Sequence, residues 1–397
     1  MKKISIIIGI IAFGAISYFA LLEKKPSATY SIKSEEEQTQ TPTPLEEEPV
    51  PEIFVATHIK TPESVKALYM SSWVAGTSNL RNNIVSKIDE NEINAVVIDI
   101  KDYTGRISYI PTDPFLLEIG SGEARIRDIR EFIELLHKKN IYVIGRLSVF
   151  QDKYLVDHRP ELAVKKASDK NSPWRDRKGI SWLDAGSMPV WEYTLAIALD
   201  AHTQGFDEIN FDYIRFPSDG NMKDIYYPVS EGKIKHEVMK SFFAYLDEKL
   251  HAQNIPISAD LFGMTATNYD DLGIGQVLED ALPHFDFIAP MVYPSHYPAT
   301  WNGIPSPAKE PYKVIYASVK KAGERAEALG LSKNKIRPWL QDFNLGATYT
   351  AEMVRAQITA TYDAGLNSWM MWDAGNTYTY SALKKESENS PDDALVN

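Results

Sequence analysis

From residue 65 onward, short runs of β-branched and aromatic residues alternate with longer segments whose apolar positions recur three and four apart. That alternation is the pattern of parallel strands covered by crossover helices. The strand-like runs are KALYMSSW, INAVVIDIK, IYVIGRLSV, FDEINFD, IPISADLF, FDFIAPMVY, IRPWLQDF and LNSWMMWD, eight in all. Between them lie helical patterns such as RIRDIREFIELLHKKN, VWEYTLAIALDAHTQG, KIKHEVMKSFFAYLDEKL, YKVIYASVKKAGERAEALG and AEMVRAQITATYDAG. Several close on Gly or Asn, as helix C-termini do. Eight such units predict an α/β protein of the (β/α)8 or TIM-barrel type. A doubly wound open sheet would carry a glycine-rich phosphate turn after its first strand, and MSSWVAGTSN is not one.

The segments that precede the barrel pattern differ sharply from it. MKKISIIIGIIAFGAISYFALLEKK carries an uncharged run from Ile4 to Leu22, preceded by Lys2 and Lys3 and followed by Glu23 and two lysines. At about 1.5 Å per residue it spans roughly 30 Å of hydrocarbon. It exceeds the apolar core of a signal peptide, and no A-x-A cleavage site follows. Residues 1–22 are therefore expected to be a signal anchor, with a cleaved signal peptide as the alternative. Either one places the remainder outside the cytoplasm, bound to the cell membrane through a single pass or secreted. Residues 23–62, rich in Glu, Pro and Thr, are expected to be a disordered tether, 63–385 the barrel, and 386–397 a disordered tail.

Composition narrows the partners. The chain has 397 residues, of which 44% are hydrophobic and 11% aromatic, so it can bury a large core. Its formal charge of -12 and lack of a basic stripe argue against a nucleic-acid surface. It has no cysteine, which removes disulfides, thiolate nucleophiles and Cys-ligated zinc.

In a barrel of this type the chemistry gathers at the C-terminal ends of the strands. Polar residues do collect there. The second run ends in Asp99, Lys101 and Asp102, the third in Arg146, and the fourth in Asp212 with Arg215 beyond. The fifth ends in Asp260, the sixth in Tyr293 with His296 beyond, the seventh in Gln341 and Asp342, and the eighth in Trp372 and Asp373. Strand alternation sends Ile209, Phe211, Ile257 and Ala259 toward the helices, and Asn210, Asp212, Ser258 and Asp260 toward the barrel axis. Trp174, Trp182, Tyr226, Tyr227 and the loop YPSHYPATWNG add aromatic rings suited to stacking on sugar faces.

A lone strand-end aspartate is most often a cap or an ion-pair partner, but a cluster of like charges is not something packing requires. Glycosidic hydrolysis needs two carboxyl groups, one protonated and one ionised, about 5 to 5.5 Å apart for retention or about 6.5 to 9.5 Å for inversion. Neighbouring strands lie about 5 Å apart, so Asp212 and Asp260 are the expected catalytic pair. Arg146 or Arg215 would keep Asp212 ionised, and a less polar setting would keep Asp260 protonated. The reverse assignment, or Asp102 or Asp373 as the acid, stays open. Asp99, Lys101, Asp102, Arg146, Arg215, Tyr293, His296, Gln341, Asp342, Trp372 and Asp373 are expected to contact the substrate.

VVIDIKDYTGRISY, GFDEINFDYIRFPSDG, ISADLFG and MVYPSHY together resemble the bacterial family called "putative glycosyl hydrolase domain", a set of exported (β/α)8 proteins. The resemblance runs from about Lys66 to Asp373. It implies a carbohydrate-active barrel in which Asp212 and Asp260 fall where related barrels carry catalytic acids. GFDEINFDYIRFP is also similar to the D-x-x-D-x-D-x-E strand motif of chitinase-type barrels. Asp207 and Asp212 match it, but Asn210 replaces the middle acid, Ile214 the proton-donor Glu, and Pro294 the Asp of a later motif. A two-carboxylate route therefore fits better than a substrate-assisted one.

The rival readings are weaker. No H-x-H or H-E-x-x-H pair calls for a metal, and no cofactor is implied. Lys101 stands where a Schiff-base lysine would, but between Asp99 and Asp102 it is expected to be charged and paired. The serious rival is a non-catalytic saccharide-binding barrel. The expected partner is a polysaccharide or oligosaccharide in either case.

Overall fold

The structure, a computed structural model, describes residues 54–384. Each of the eight runs yields a strand: β1 Lys66–Met70, β2 Ala95–Lys101, β3 Tyr142–Ser148, β4 Glu208–Asp212, β5 Ile257–Phe262, β6 Phe287–Met291, β7 Trp339–Gln341 and β8 Trp369–Trp372. Every strand lies parallel to its neighbours in sequence, and β8 closes the barrel against β1, pairing Trp369 with Lys66. The end of the first run does something else. Ser71 caps a short helix, Ser72–Ala75, by accepting the amide of Val74.

Alternation sorts the strand residues into two apolar layers. Ile209, Phe211, Ile257 and Ala259 join the large outer core beneath the helices. Ala67, Val97, Ile144, Ala289, Trp339 and Met370 form a separate inner cluster inside the barrel. The helix Ile129–Lys138 shows how the outer core is completed: Ile129, Phe132, Ile133 and Leu136 are buried at helical spacing along one face.

The N-terminal end of the barrel is floored by a charged layer. Arg337, just before β7, pairs with Glu208 at the start of β4, and neither side chain is exposed. Glu208 also accepts the hydroxyls of Ser258 (2.6 Å) and Tyr142 (3.1 Å). Residues 54–62, expected as part of the tether, run against this same end. Ile59 donates its amide to Asp207 at 2.7 Å, His58 stacks on His202 at 3.9 Å, and Phe54 lies under the Arg130 guanidinium at 4.4 Å. The reason is Asp207, whose buried carboxylate needs donors and takes them from Ile59, Val143 and His137. The expected anchor, the rest of the tether and the tail lie outside the described residues. Among the described residues no helix is long and apolar enough to cross a membrane.

Replacing Arg337 with Met would leave Glu208 buried without its countercharge. The expected loss is about 3–5 kcal/mol of unfolding free energy, read by urea denaturation. A loss below about 1 kcal/mol would show that this pair does not hold the barrel floor.

Candidate active site

The site is built around Arg146 on β3. Its Nη1 donates to Asp99 on β2 at 2.7 Å, its Nε donates to Asp212 on β4 at 3.0 Å, and its Nη2 also bonds Asp212. The same Nε lies 3.8 Å from Asp260 Oδ2 on β5. One guanidinium thus gathers three carboxyl groups from the strands around it. Because Asp212 and Asp260 both face one nitrogen, their nearest oxygens are no farther apart than those two distances combined, within reach of either hydrolytic geometry.

The two aspartates sit in different surroundings. Asp212 accepts three hydrogen bonds, two from Arg146 and one from the amide of Tyr213 at 2.6 Å. Tyr213 reaches that position with a φ of 53°, a left-handed conformation that a tyrosine rarely adopts. Asp260 is 1% exposed and accepts Asn210 Nδ2 at 2.9 Å and Trp339 Nε1 at 2.7 Å. Burial, reinforced by the charge of Asp212, pushes its carboxyl up to about 8 against the pull of Arg146 and those two donors. Burial also raises Asp99, which is hydrogen-bonded by Tyr69 at 2.6 Å. A carboxyl that keeps its proton beside one held by three donors is the pairing that acid–base or nucleophilic chemistry uses.

A cleft of about 330 Å³ opens over this pair, within the size range of small-ligand sites. Arg146, Asp212, Arg215, Asp260, Tyr293, His296 and Trp372 line it. Asp99 lies behind Arg146, buried and turned toward Tyr69.

Five expected contacts lie elsewhere. A register shift between Asp99 and Lys101 re-aims the end of β2, and Lys101 is buried on Asp152 at 2.6 Å. Asp102 is taken by Arg125 at 2.7 Å. Gln341 accepts the Ser295 amide and donates to the Phe343 carbonyl, tying two rim loops together. Asp342 accepts the amide and hydroxyl of Thr379, each at 2.7 Å. Asp373 turns back on the amide of Gly375. Each of these side chains spends its polarity on the scaffold.

The aromatic contribution also differs from expectation. Trp174 and Trp182 are buried inside the long loop after β3, and Tyr297 and Trp301 pack on each other at 4.6 Å. The rings that line the cleft come from strand ends and the residues next to them: Tyr213, Phe262, Trp339 and Phe343 join Tyr293 and Trp372. Trp339 was open to detection, since alternation along IRPWLQDF points it inward with Gln341.

Residues 67–378 match the model of a family described as "Putative glycosyl hydrolase domain". No curated protein matches the chain. Among solved structures, a hypothetical protein from Ruminiclostridium thermocellum ATCC 27405 is 37% identical, covering 52% of this chain and 98% of that one, with a TM-score of 0.45. The PgaB (BpsB) glycoside hydrolase domain from Bordetella bronchiseptica is 14% identical, covering 84% of this chain and 98% of its own, with a TM-score of 0.59. Alpha-L-fucosidase isoenzyme 2 from Paenibacillus thiaminolyticus is 12% identical over 80% of this chain and 48% of its own, with a TM-score of 0.56. The likeness to these last two is one of fold.

The raised Asp260 carboxyl has a stability consequence. Below about pH 4 the group is protonated in both folded and unfolded chains and contributes no pH dependence. Between there and about 8 the unfolded chain ionises while the folded one keeps its proton, so rising pH costs stability, by up to about 1.4 kcal/mol per pH unit. Wild type is therefore expected to lose stability relative to Asp260→Asn across that window. Denaturation of both proteins at several pH values checks this, and a difference independent of pH would contradict it.

Proposed function

The chain belongs to the family described as "Putative glycosyl hydrolase domain", and from that premise we propose that it hydrolyses a polysaccharide by a two-carboxylate mechanism. The observation that carries the proposal is the placing of Asp212 and Asp260 on a shared Arg146 at the base of the cleft. Asp260, carrying its proton, donates it to the departing glycosidic oxygen. Asp212, held by its bonds to Arg146 and the Tyr213 amide, attacks the anomeric carbon or draws a proton from the attacking water. Once Asp260 has given up its proton, Asn210, Trp339 and Arg146 are already oriented to stabilise the new carboxylate. Tyr293, Phe343 and Trp372 offer ring faces for the sugar.

A substrate-assisted route of the chitinase type has little support in these residues. Ile214, at the motif's proton-donor position, is fully buried and apolar. Asp207 precedes β4, at the far end of that strand from Asp212, and is occupied by His137 and Ile59. The apolar run Ile4–Leu22 supports a setting outside the cytoplasmic membrane, with the barrel tethered to it.

Release of reducing ends from cell-wall and storage polysaccharides tests the reading. Asp260→Asn is expected to lower turnover by about 10² to 10⁴-fold, and Asp212→Asn to abolish it while saccharide binding persists. Binding by wild type without turnover on any substrate would instead establish a saccharide-binding barrel. In wild type, kcat/KM is expected to fall as pH rises through about 8, where Asp260 gives up its proton. A profile level through that region would remove Asp260 from the acid role.

A further inference from the structure

Arg146 and Arg215 both line the cleft, yet they are used in opposite ways. Arg146 spends its whole fork on carboxylates of the protein. Arg215, three residues past Asp212, has no carboxylate within 4.0 Å among the described residues. Its Nη1 donates to the Phe216 carbonyl (3.0 Å) and to Ser218 Oγ (3.1 Å), and its Nε and Nη2 make no hydrogen bond to the described residues. The two unused nitrogens form one edge of the planar guanidinium.

The group is also held in place. It lies over the Trp182 ring at 5.0 Å and the Tyr213 ring at 5.5 Å, a shelf that orients the plane without neutralising it. The nearby carboxylates are committed or sit on the rim. Asp212 is bound by Arg146, and Asp176 accepts the Trp182 indole N–H and the amides of Lys178 and Ile180. Asp219 lies in the partly exposed loop beyond Ser218. Burial pushes Arg215 below its ordinary value, the mark of a charge that has lost water without gaining a close partner. Lys178, also without an ion-pair partner among the described residues, adds a second positive charge to the cleft wall from an exposed turn.

A partly desolvated guanidinium with one free, oriented edge is matched to a planar carboxylate, which it binds through two parallel N–H···O bonds. We propose that Arg215, supported by Lys178, binds the carboxylate of an acidic sugar, so that the substrate is a uronate-containing polysaccharide. The proposal rests on the cleft being a saccharide site. The net charge of -12 on the whole chain does not oppose it at contact, because that repulsion is long-range and is screened over about 8 Å at physiological ionic strength, whereas the pairing is local.

The test measures binding of the full chain, by calorimetry, to oligomers of galacturonate, glucuronate and mannuronate and to their carboxyl-reduced neutral counterparts. Wild type is expected to bind at least one acidic oligomer about 10- to 100-fold more tightly than its neutral counterpart. Arg215→Gln is expected to erase that preference, and Arg215→Lys to recover only part of it, since an ammonium lacks the planar fork. Thermal denaturation checks that both variants fold. Equal affinity for the acidic and neutral members, unchanged in Arg215→Gln, would overturn the proposal while leaving the saccharide cleft standing. Tighter binding of sulfated than of carboxylated oligomers would overturn the assignment to carboxylate. Binding of neither series would overturn this proposal and the saccharide reading together.

Discussion

The arrangement of the site depends on a charge imbalance around Arg146. One guanidinium faces Asp99, Asp212 and Asp260, three carboxyl groups that are each at most 4% exposed. If all three were ionised, two negative charges would be left uncompensated in a poorly hydrated space, at a cost that buried groups avoid by keeping a proton. The proton falls where hydration is least and the contact with Arg146 longest, which is Asp260. The chemical asymmetry of the pair thus follows from placing one cation among three acids on adjacent strands.

The barrel makes that placement possible because ring order equals chain order. Asp99, Arg146, Asp212 and Asp260 come from β2, β3, β4 and β5, four neighbouring strands; Asp99 and Arg146 are in register with Asn210 and Ser258, and Asp212 and Asp260 stand two residues further toward the C-terminal ends. The inner apolar cluster, with Val97, Ile144 and Ala289, shares the barrel interior with them, and the Glu208–Arg337 pair lies at the N-terminal end. The lower ion pair is completely enclosed, with neither side chain exposed. The upper cluster opens to the cleft, where chemistry in such barrels resides.

Much of this was legible in the chain, for a reason that also explains where legibility ended. Period-two alternation carries a side chain's direction along a regular strand, so Asp212, Asp260 and Arg146 could be aimed at one mouth from sequence. It carries nothing past an irregularity. The register shift after Asp99 turns Lys101 onto Asp152, and beyond the strand ends Asp102, Asp342 and Asp373 meet partners set by loop paths: Arg125, Thr379 and Gly375. Gln341 lies on a strand but is claimed by Ser295 and Phe343 of the loops above it. Loop aromatics fail for a related reason. The loop after β3 is long enough to bury a core of its own, and Trp174 and Trp182 fill it, leaving Trp182 to carry Arg215 rather than a sugar. The packing of residues 54–62 was hidden because their composition is that of a tether, and the demand that holds them comes from Asp207, far away in the chain.

Whether Asp260 holds a proton at neutral pH can be read by carboxyl-carbon NMR of aspartate-labelled protein, with the Asp260 signal assigned by its absence in Asp260→Asn. The expected titration midpoint is about 8. A midpoint near about 4, as for an ordinary aspartate, would contradict it.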